Sequence, residues 1–149
     1  MTDSYVERPE SLVLRVLADM KAGGPAEAMQ KLESKLPSIK GRKFYGVFRI
    51  LPEGEEYFAC VERIPTDDAI AMGLDEGRIP EGLYIRRKVF DWSRVIAEGK
   101  LPLVSKDMVR HYDVDKTRPE IEYYRSMTEL HIFIPVHSRV PIPLEPLTV

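Results

Sequence analysis

The sequence predicts an α+β fold with a mainly antiparallel sheet, on the basis of three observations. Several short segments alternate apolar and polar residues, which is the period of a strand. Others repeat apolar residues every three or four positions, which is the period of a helix. The order strand, helix, strand, strand also occurs twice. With 149 residues, 44% hydrophobic and 31% charged, the chain is expected to form one domain with a core at about residues 11–136.

The first strand, helix, strand, strand unit occupies residues 11–64. Segment 11–20 has apolar residues at both strand and helix spacing, and we interpret it as a strand. A helix is predicted at 26–36, after a Gly-Gly-Pro break and before Pro37. Strands at 43–51 and 56–64 flank the turn sequence Pro-Glu-Gly-Glu and are expected to form a hairpin.

The connection at 66–81 is rich in glycine, proline and acidic residues, which predicts a loop with at most one short helical turn. A strand at 82–90 then opens the second unit. Gly99 and Pro102 interrupt the helical region that follows. Two short helices are therefore expected, at 91–98 and 105–112.

The end of the chain is predicted to add two more strands. One lies near Tyr112 or at 120–126, and the last at 128–136. Alternation in the last strand places its aliphatic residues on one face and Glu129, His131 and Phe133 on the other. That second face is typical either of a strand exposed to water or of a groove wall. The Pro-rich segment 137–149 is expected to run extended.

Composition excludes several classes of function. The net charge is -2 and the basic residues are scattered, so direct nucleic-acid binding is not expected. No apolar run approaches the ~20 residues that cross a membrane, and no secretory signal is recognisable. A single cysteine, Cys60, allows no internal disulfide, which indicates the cytoplasm. The histidines lack metal-ligand spacing and nucleotide-binding motifs are absent, so no metal and no cofactor are expected.

Aromatic and acidic side chains on several strands are the candidates for a binding site. A tyrosine cluster can hold a flat apolar ligand and bind its edge, while a carboxylate selects for positive charge. The alternative is that most of these rings fill the core. The candidates are Tyr45, Phe48, Tyr57, Glu62, Tyr84, Glu122, Tyr123, Tyr124 and Glu129.

Four segments, 40–48, 56–61, 118–124 and 129–136, together with Gly82-Leu83-Tyr84, resemble the GyrI-like small-molecule-binding domains. The resemblance implies two strand-helix-strand-strand modules related by a pseudo-twofold axis, with helices on one side of the sheet and a groove between the modules. In that family the groove binds lipophilic, often cationic or planar compounds. In many relatives the domain is the effector-binding domain of a regulator, whereas this chain resembles a stand-alone member.

Three functions follow from the resemblance: binding of xenobiotic compounds for protection, hydrolysis of cyclopropane-containing electrophilic toxins, and a protein contact related to gyrase. A homodimer through a sheet edge is left open. Aligned on Ile134-Pro135-Val136, the commonest position of the family's acid falls on His131, so either Glu129, two residues earlier on the same face, takes its role or the pocket differs. The implied ligand-binding residues are Tyr45, Phe48, Tyr84, Trp92, Tyr123, Glu129, His131 and Phe133. In a hydrolase, Glu129 would be the general base and Tyr84 the hydrogen-bond donor.

Overall fold

The computed structural model describes residues 3–141. Most of the predicted Pro-rich segment, residues 142–149, lies outside this range. The described part contains eight strands and four helices. In chain order they are β1 (Asp3–Arg8), β2 (Ser11–Leu17), α1 (Gly24–Ser34), β3 (Phe44–Leu51), β4 (Gly54–Glu62), α2 (Ala69–Met72), β5 (Asp75–Ile79), β6 (Gly82–Phe90), α3 (Trp92–Ala97), α4 (Leu101–His111), β7 (Glu120–Tyr124) and β8 (Glu129–Pro135).

All eight strands belong to one sheet, in the order β1-β6-β8-β7-β3-β4-β2-β5. Every neighbouring pair is antiparallel, which confirms the predicted α+β class and antiparallel sheet. The sheet is curled. Val13 and Ile79 come from strands at one end of the order and Val6 and Tyr84 from strands at the other, yet they pack in one cluster.

The inner face of the curled sheet is lined by apolar side chains from most of its strands. The buried members of this cluster are Val13, Tyr45, Cys60, Ile79, Tyr84, Ile121 and Phe133. The outer face carries the helices. Helix α1 covers one part of it and buries Ala28 and Leu32, while α3 and α4 cover another part, where α4 buries Met108. The expectation of helices on one side of the sheet is therefore confirmed.

The elements of both predicted units are present. Strands β2, β3, β4, β6, β7 and β8 lie within three residues of the predicted bounds, and the break at Gly99 separates α3 from α4. Helices α1 and α4 begin earlier than predicted because Pro25 and Pro102, which was expected to interrupt the second of these helices, belong to their first turns. Proline is well suited to that position, since its fixed φ fits a helix and its missing N–H has no partner there anyway.

Two strands were missed by the sequence analysis, β1 and β5. Segment 66–81, predicted as a loop with at most one short helical turn, contains that turn as α2 but also contains β5. These two strands occupy the ends of the sheet, where each pairs on one side only. End strands are commonly rich in charged residues, which protect a free edge. Their sequences, DSYVER and DEGRI, therefore lack the apolar alternation that identifies an inner strand.

Candidate functional site

The middle of the outer face is formed by two strands that lie between the helices. Helix α1 contacts β2 and β4, and α4 contacts β8, so β3 and β7 run between them. Residues paired across antiparallel strands project to the same face. On the outer face the pairs are Phe44 with Tyr124, Gly46 with Glu122, and Phe48 with Glu120. These six residues are called the central strip below.

Glu122 occupies the centre of the central strip. Its Oε1 accepts hydrogen bonds from the hydroxyls of Tyr57, over 2.8 Å, and Tyr124, over 3.1 Å. Burial raises the pKa of Glu122, and the two tyrosine hydrogen bonds only partly oppose that effect. The residue nevertheless keeps part of its surface. Glu122 is therefore a partly exposed residue whose carboxyl group is largely buried, so its charged form lacks full hydration.

The Tyr57 hydroxyl reaches Glu122 because residue 46 is a glycine. Tyr57 lies on β4, and β3 separates it from β7. A Cβ atom at position 46 would overlap both the Tyr57 hydroxyl and the Glu122 carboxylate. Burial raises the pKa of Tyr57 and of Tyr124, and the neighbouring Glu122 charge raises both further. Both hydroxyls therefore keep their protons and donate.

A second acid, Glu120, lies two residues before Glu122 on the same face. Its pKa is raised by burial and by the repulsion of Glu122, while a hydroxyl contact from Ser105 of α4, at 3.5 Å, lowers it. No cationic side chain contributes to the pKa of either acid. Within residues 3–141, the central strip is thus an acidic surface without a counter-cation.

Aromatic rings flank the two acids. Phe44 and Phe48 pack against the α1 side of the core, and Tyr124 and Trp92 against the α3–α4 side. The rings of Trp92 and Tyr124 meet edge to face at 5.2 Å, and the Trp92 Nε1–H donates to the carbonyl oxygen of Ser126 over 2.9 Å. The carboxyl groups therefore lie in a surface with apolar borders.

The eight ligand-binding residues implied by the sequence divide between the two faces of the sheet. Phe48 and Trp92 lie on the outer face, near the acids described above. The other six, Tyr45, Tyr84, Tyr123, Glu129, His131 and Phe133, project to the inner face. The structure therefore brings six of the eight together and places the remaining two on the opposite side of the sheet.

The inner face is a packed core. Tyr45 stacks on Tyr123 with ring centroids 5.0 Å apart, and Tyr84 meets Phe133 edge to face at 6.3 Å. The Arg8 guanidinium lies over the rings of Tyr45 and Phe133. Tyr45, Tyr84 and Phe133 are all buried. These aromatic side chains fill the space inside the curled sheet, in agreement with the core alternative.

Glu129 and Tyr84, the implied catalytic pair of a hydrolase, each have a hydrogen-bond partner within the protein. Glu129 Oε2 lies 2.6 Å from His131 Nε2, and this hydrogen bond lowers the pKa of Glu129, whereas a general base at neutral pH needs a raised one. Burial lowers the pKa of His131. The Tyr84 hydroxyl is fully buried and donates to the Pro80 carbonyl over 2.6 Å.

Tyr57, Glu122 and Tyr124 are among the candidates that the sequence offers, but they are not among the eight implied ligand-binding residues. One feature of the sequence does distinguish Glu122. Glu122 stands between Ile121 and Tyr123, so its side chain faces away from theirs. An acid on the outer face of an inner strand is partly buried, so its charged form needs hydrogen-bond donors nearby. The sequence does not reveal that the Tyr57 hydroxyl is such a donor, or that Gly46 leaves the space for it.

Two surface depressions lie away from the central strip. One, of about 460 Å³, is lined by Leu12, Val13, Arg15, Arg63, Glu76, Gly77 and Arg78. Its three arginines are paired with acids. The other, of about 360 Å³, contains the buried pair Arg42–Asp67, whose closest atoms are 2.7 Å apart. In both depressions the arginines already have partners, which makes them weaker candidates than the central strip.

The described residues also bear on two other kinds of site, metal centres and membrane-spanning helices. Among residues 3–141, no group of three or more histidine, cysteine or acidic side chains is arranged to hold a metal ion. In the same range, none of the helices has the length and apolar character needed to span a bilayer.

Comparisons with known proteins identify the fold. No family model matches the sequence, and no curated protein matches it. Among solved structures, an integron cassette protein of Vibrio cholerae has a TM-score of 0.63 at 15% identity, covering 91% of this chain and 95% of its own. The protein SAV2435, bound to tetraphenylphosphonium, has a TM-score of 0.60 at 11% identity, covering 91% and 94%. A hydrolase of Listeria innocua has a TM-score of 0.54 at 12% identity, covering 90% of each chain. At these identities the similarity establishes a shared fold.

Proposed function

We propose that this chain binds lipophilic or planar cations in a groove over the central strip, with Glu122 neutralising the ligand's positive charge. The observation that carries the proposal is Glu122, a half-buried residue whose largely buried carboxyl accepts two tyrosine hydroxyls and is bordered by aromatic rings. In this proposal the chain is a GyrI-like domain that binds xenobiotic compounds. A pseudo-twofold axis between β3 and β7 is part of it, supported by the strand order.

The physical basis of the proposal is the loss of hydration around the Glu122 carboxyl. Burial disfavours the ionised form of Glu122, which raises its pKa. A bound cation compensates the charge that water no longer solvates. The neighbouring rings add apolar contact area and attract cations through their faces. A lipophilic cation satisfies both parts of this surface, whereas a strongly hydrated cation would satisfy only the carboxylate.

The bound ligand of one structural neighbour supports the same class. Tetraphenylphosphonium is a lipophilic cation with four aromatic rings, and SAV2435 is the protein that binds it. It is therefore the natural first probe for this chain. Its charge is shielded by phenyl groups, so aromatic side chains and a single carboxylate are suitable partners.

The proposal is tested by titrating tetraphenylphosphonium into the protein by calorimetry. Glu122→Gln keeps an acceptor for the tyrosines but removes the charge, and we expect it to weaken binding by about tenfold or more, or roughly 1.4 kcal/mol. Glu129→Gln is the matched control, since that acid lies on the inner face, and we expect little change. Equal weakening by both variants would contradict the proposal.

Hydrolysis of cyclopropane-containing electrophiles is a second candidate, favoured by the raised pKa of Glu122. This shift is in the direction that a general base at neutral pH needs. Glu122 Oε2 would accept a proton from a water whose oxygen bonds to a ring carbon. The strained C–C bond would break, and its electron pair would move to the conjugated carbonyl oxygen, which then takes a proton from solvent.

The second candidate is separated from binding alone by incubating the protein with a cyclopropane-bearing alkylating agent and following ring opening. A hydrolase would consume the compound in the wild type and in Glu129→Gln, but not in Glu122→Gln. Binding without consumption in the wild type would assign the central strip to binding only.

A further inference from the structure

We infer that the groove prefers dications, planar molecules with two positive charges about 7 Å apart, and that Glu120 binds the second charge. This inference rests on the proposed function, because it assigns a charge pattern to the ligand of the same site. The spacing follows from strand geometry, since residues two apart on a strand are separated by about 6.8 Å.

The backbone presents both acids to the same ligand. Glu120 and Glu122 alternate with Ile121, which belongs to the inner core, so both carboxyl groups project to the outer face. Opposite them on β3 stand Phe48 and Gly46. A flat molecule lying along β7 would therefore pass both carboxylates and contact the Phe48 ring and the Tyr57 hydroxyl, which lies above Gly46.

The two acids differ in how well the protein itself satisfies them. Glu122 receives two tyrosine hydroxyls at 2.8 and 3.1 Å. Glu120 has only the hydroxyl of Ser105 at 3.5 Å, a long contact for an O–H donor. Glu120 is therefore the acid that gains more from an external partner.

Charge balance favours two cationic groups over one. Neither acid has a lysine or arginine partner within residues 3–141, and Glu120 is repelled by Glu122. A ligand with one charge would neutralise one carboxylate and leave the other half-buried without a counter-ion. A ligand with two charges would remove the repulsion and neutralise both.

The main alternative is that the two acids share one proton, as close carboxyl pairs can. The strip would then carry one negative charge, and a monocation would suffice. The two possibilities differ in a measurable ratio, which is the affinity for a dication relative to a monocation of the same skeleton.

The test compares 1,4-benzenedicarboxamidine, which has two amidinium groups, with benzamidine, which has one. Calorimetry at constant pH and ionic strength gives both affinities, and tetraphenylphosphonium serves as a reference monocation. We expect the wild type to bind the dication at least tenfold more tightly than benzamidine. Glu120→Gln should reduce that ratio to about two, and it should weaken tetraphenylphosphonium binding less than Glu122→Gln does. Thermal melts of each variant check that it is folded.

The outcomes separate the inference from the proposed function. Equal affinity for the two amidines in the wild type, or an unchanged ratio in Glu120→Gln, would overturn the dication preference. If tetraphenylphosphonium binding still depended on Glu122 in that case, the proposed function would stand. If none of the three cations bound, both would be overturned. Glu129→Gln is again the matched control, and it should keep the wild-type ratio.

Discussion

Tyr57 and Glu122 belong to strands that do not pair with each other, yet the Tyr57 hydroxyl donates to Glu122 Oε1 over 2.8 Å. The hydrogen bond crosses β3 above Gly46 and joins β4 to β7. It therefore links a strand beneath α1 to the strip that runs between the helices. The position of the strip's central acid depends on this contact.

Gly46→Ala should disrupt this contact. The new Cβ would overlap the Tyr57 hydroxyl and the Glu122 carboxylate, so both must move. We expect a loss of stability of roughly 1–3 kcal/mol, typical of overpacking, and at least tenfold weaker tetraphenylphosphonium binding. Urea denaturation and calorimetry measure the two effects.

The control for Gly46→Ala is a double-mutant cycle with Tyr57→Phe. Removing the hydroxyl frees part of the space that the new methyl group needs. The double variant should therefore be more stable than the sum of the single changes predicts. Strict additivity would show that the methyl group and the hydroxyl do not compete for that space.

The stability of the protein should depend on the ionisation of Glu122. Its pKa in the folded protein is raised above the ordinary 4.5, so the unfolded chain loses this proton at a lower pH. Wild-type stability should then fall as the pH rises from about 4.5 through the folded pKa. Glu122→Gln cannot ionise and should lack this part of the decline.

Urea denaturation between pH 4 and pH 8 measures this difference. Glu122→Gln should become progressively more stable than the wild type across the lower part of that range. Glu120→Gln should show the same sign, because the pKa of Glu120 is also raised. Parallel pH profiles for the wild type and Glu122→Gln would contradict the shift.

Trp92 should report ligand binding. It is the single tryptophan of the chain, and its ring packs against Tyr124 of the central strip. Tetraphenylphosphonium placed over the strip should change Trp92 fluorescence with the same midpoint that calorimetry gives. Trp92→Phe should lose the signal and keep the affinity within about threefold. A saturated complex with unchanged fluorescence would place the ligand elsewhere.

Arg87→Met should destabilise the fold. The buried Arg87 guanidinium donates to both carboxylate oxygens of Asp3, over 2.6 and 2.8 Å, and to Asp107 over 2.7 Å, which joins β1 and α4 to β6. Removing one partner of a buried ion pair typically costs 3–5 kcal/mol. We expect about 3 kcal/mol by urea denaturation, because Asp107 is partly exposed.

Arg94→Met is the matched control for Arg87→Met. Arg94 forms an exposed pair with Glu98 on consecutive turns of helix. Such exposed pairs are screened by water and contribute little to stability, so we expect a much smaller effect than for Arg87→Met. Equal effects of the two substitutions would show that the Asp3–Arg87–Asp107 cluster does not hold β1 and α4 in place.

Local periodicity assigns the side chains of a strand to the correct faces, but it does not show what surrounds each face. Alternation in β8 correctly separates the aliphatic residues from Glu129, His131 and Phe133, which do project to the opposite face. It cannot show that this second face is the inside of a curled sheet. That depends on β1 and β5 at the ends of the sheet, whose charged sequences carry little strand signal.

What the sequence alone determined is the class of fold, the order of most elements and the face of each inner strand residue, because periodicity is a local property of the chain. Only the tertiary structure decided which acid is the candidate. Glu122 acquires its environment from Gly46 and Tyr57 on two other strands and from the gap between α1 and α4. No local pattern encodes these contacts, since they arise from strand pairing and helix placement over long separations.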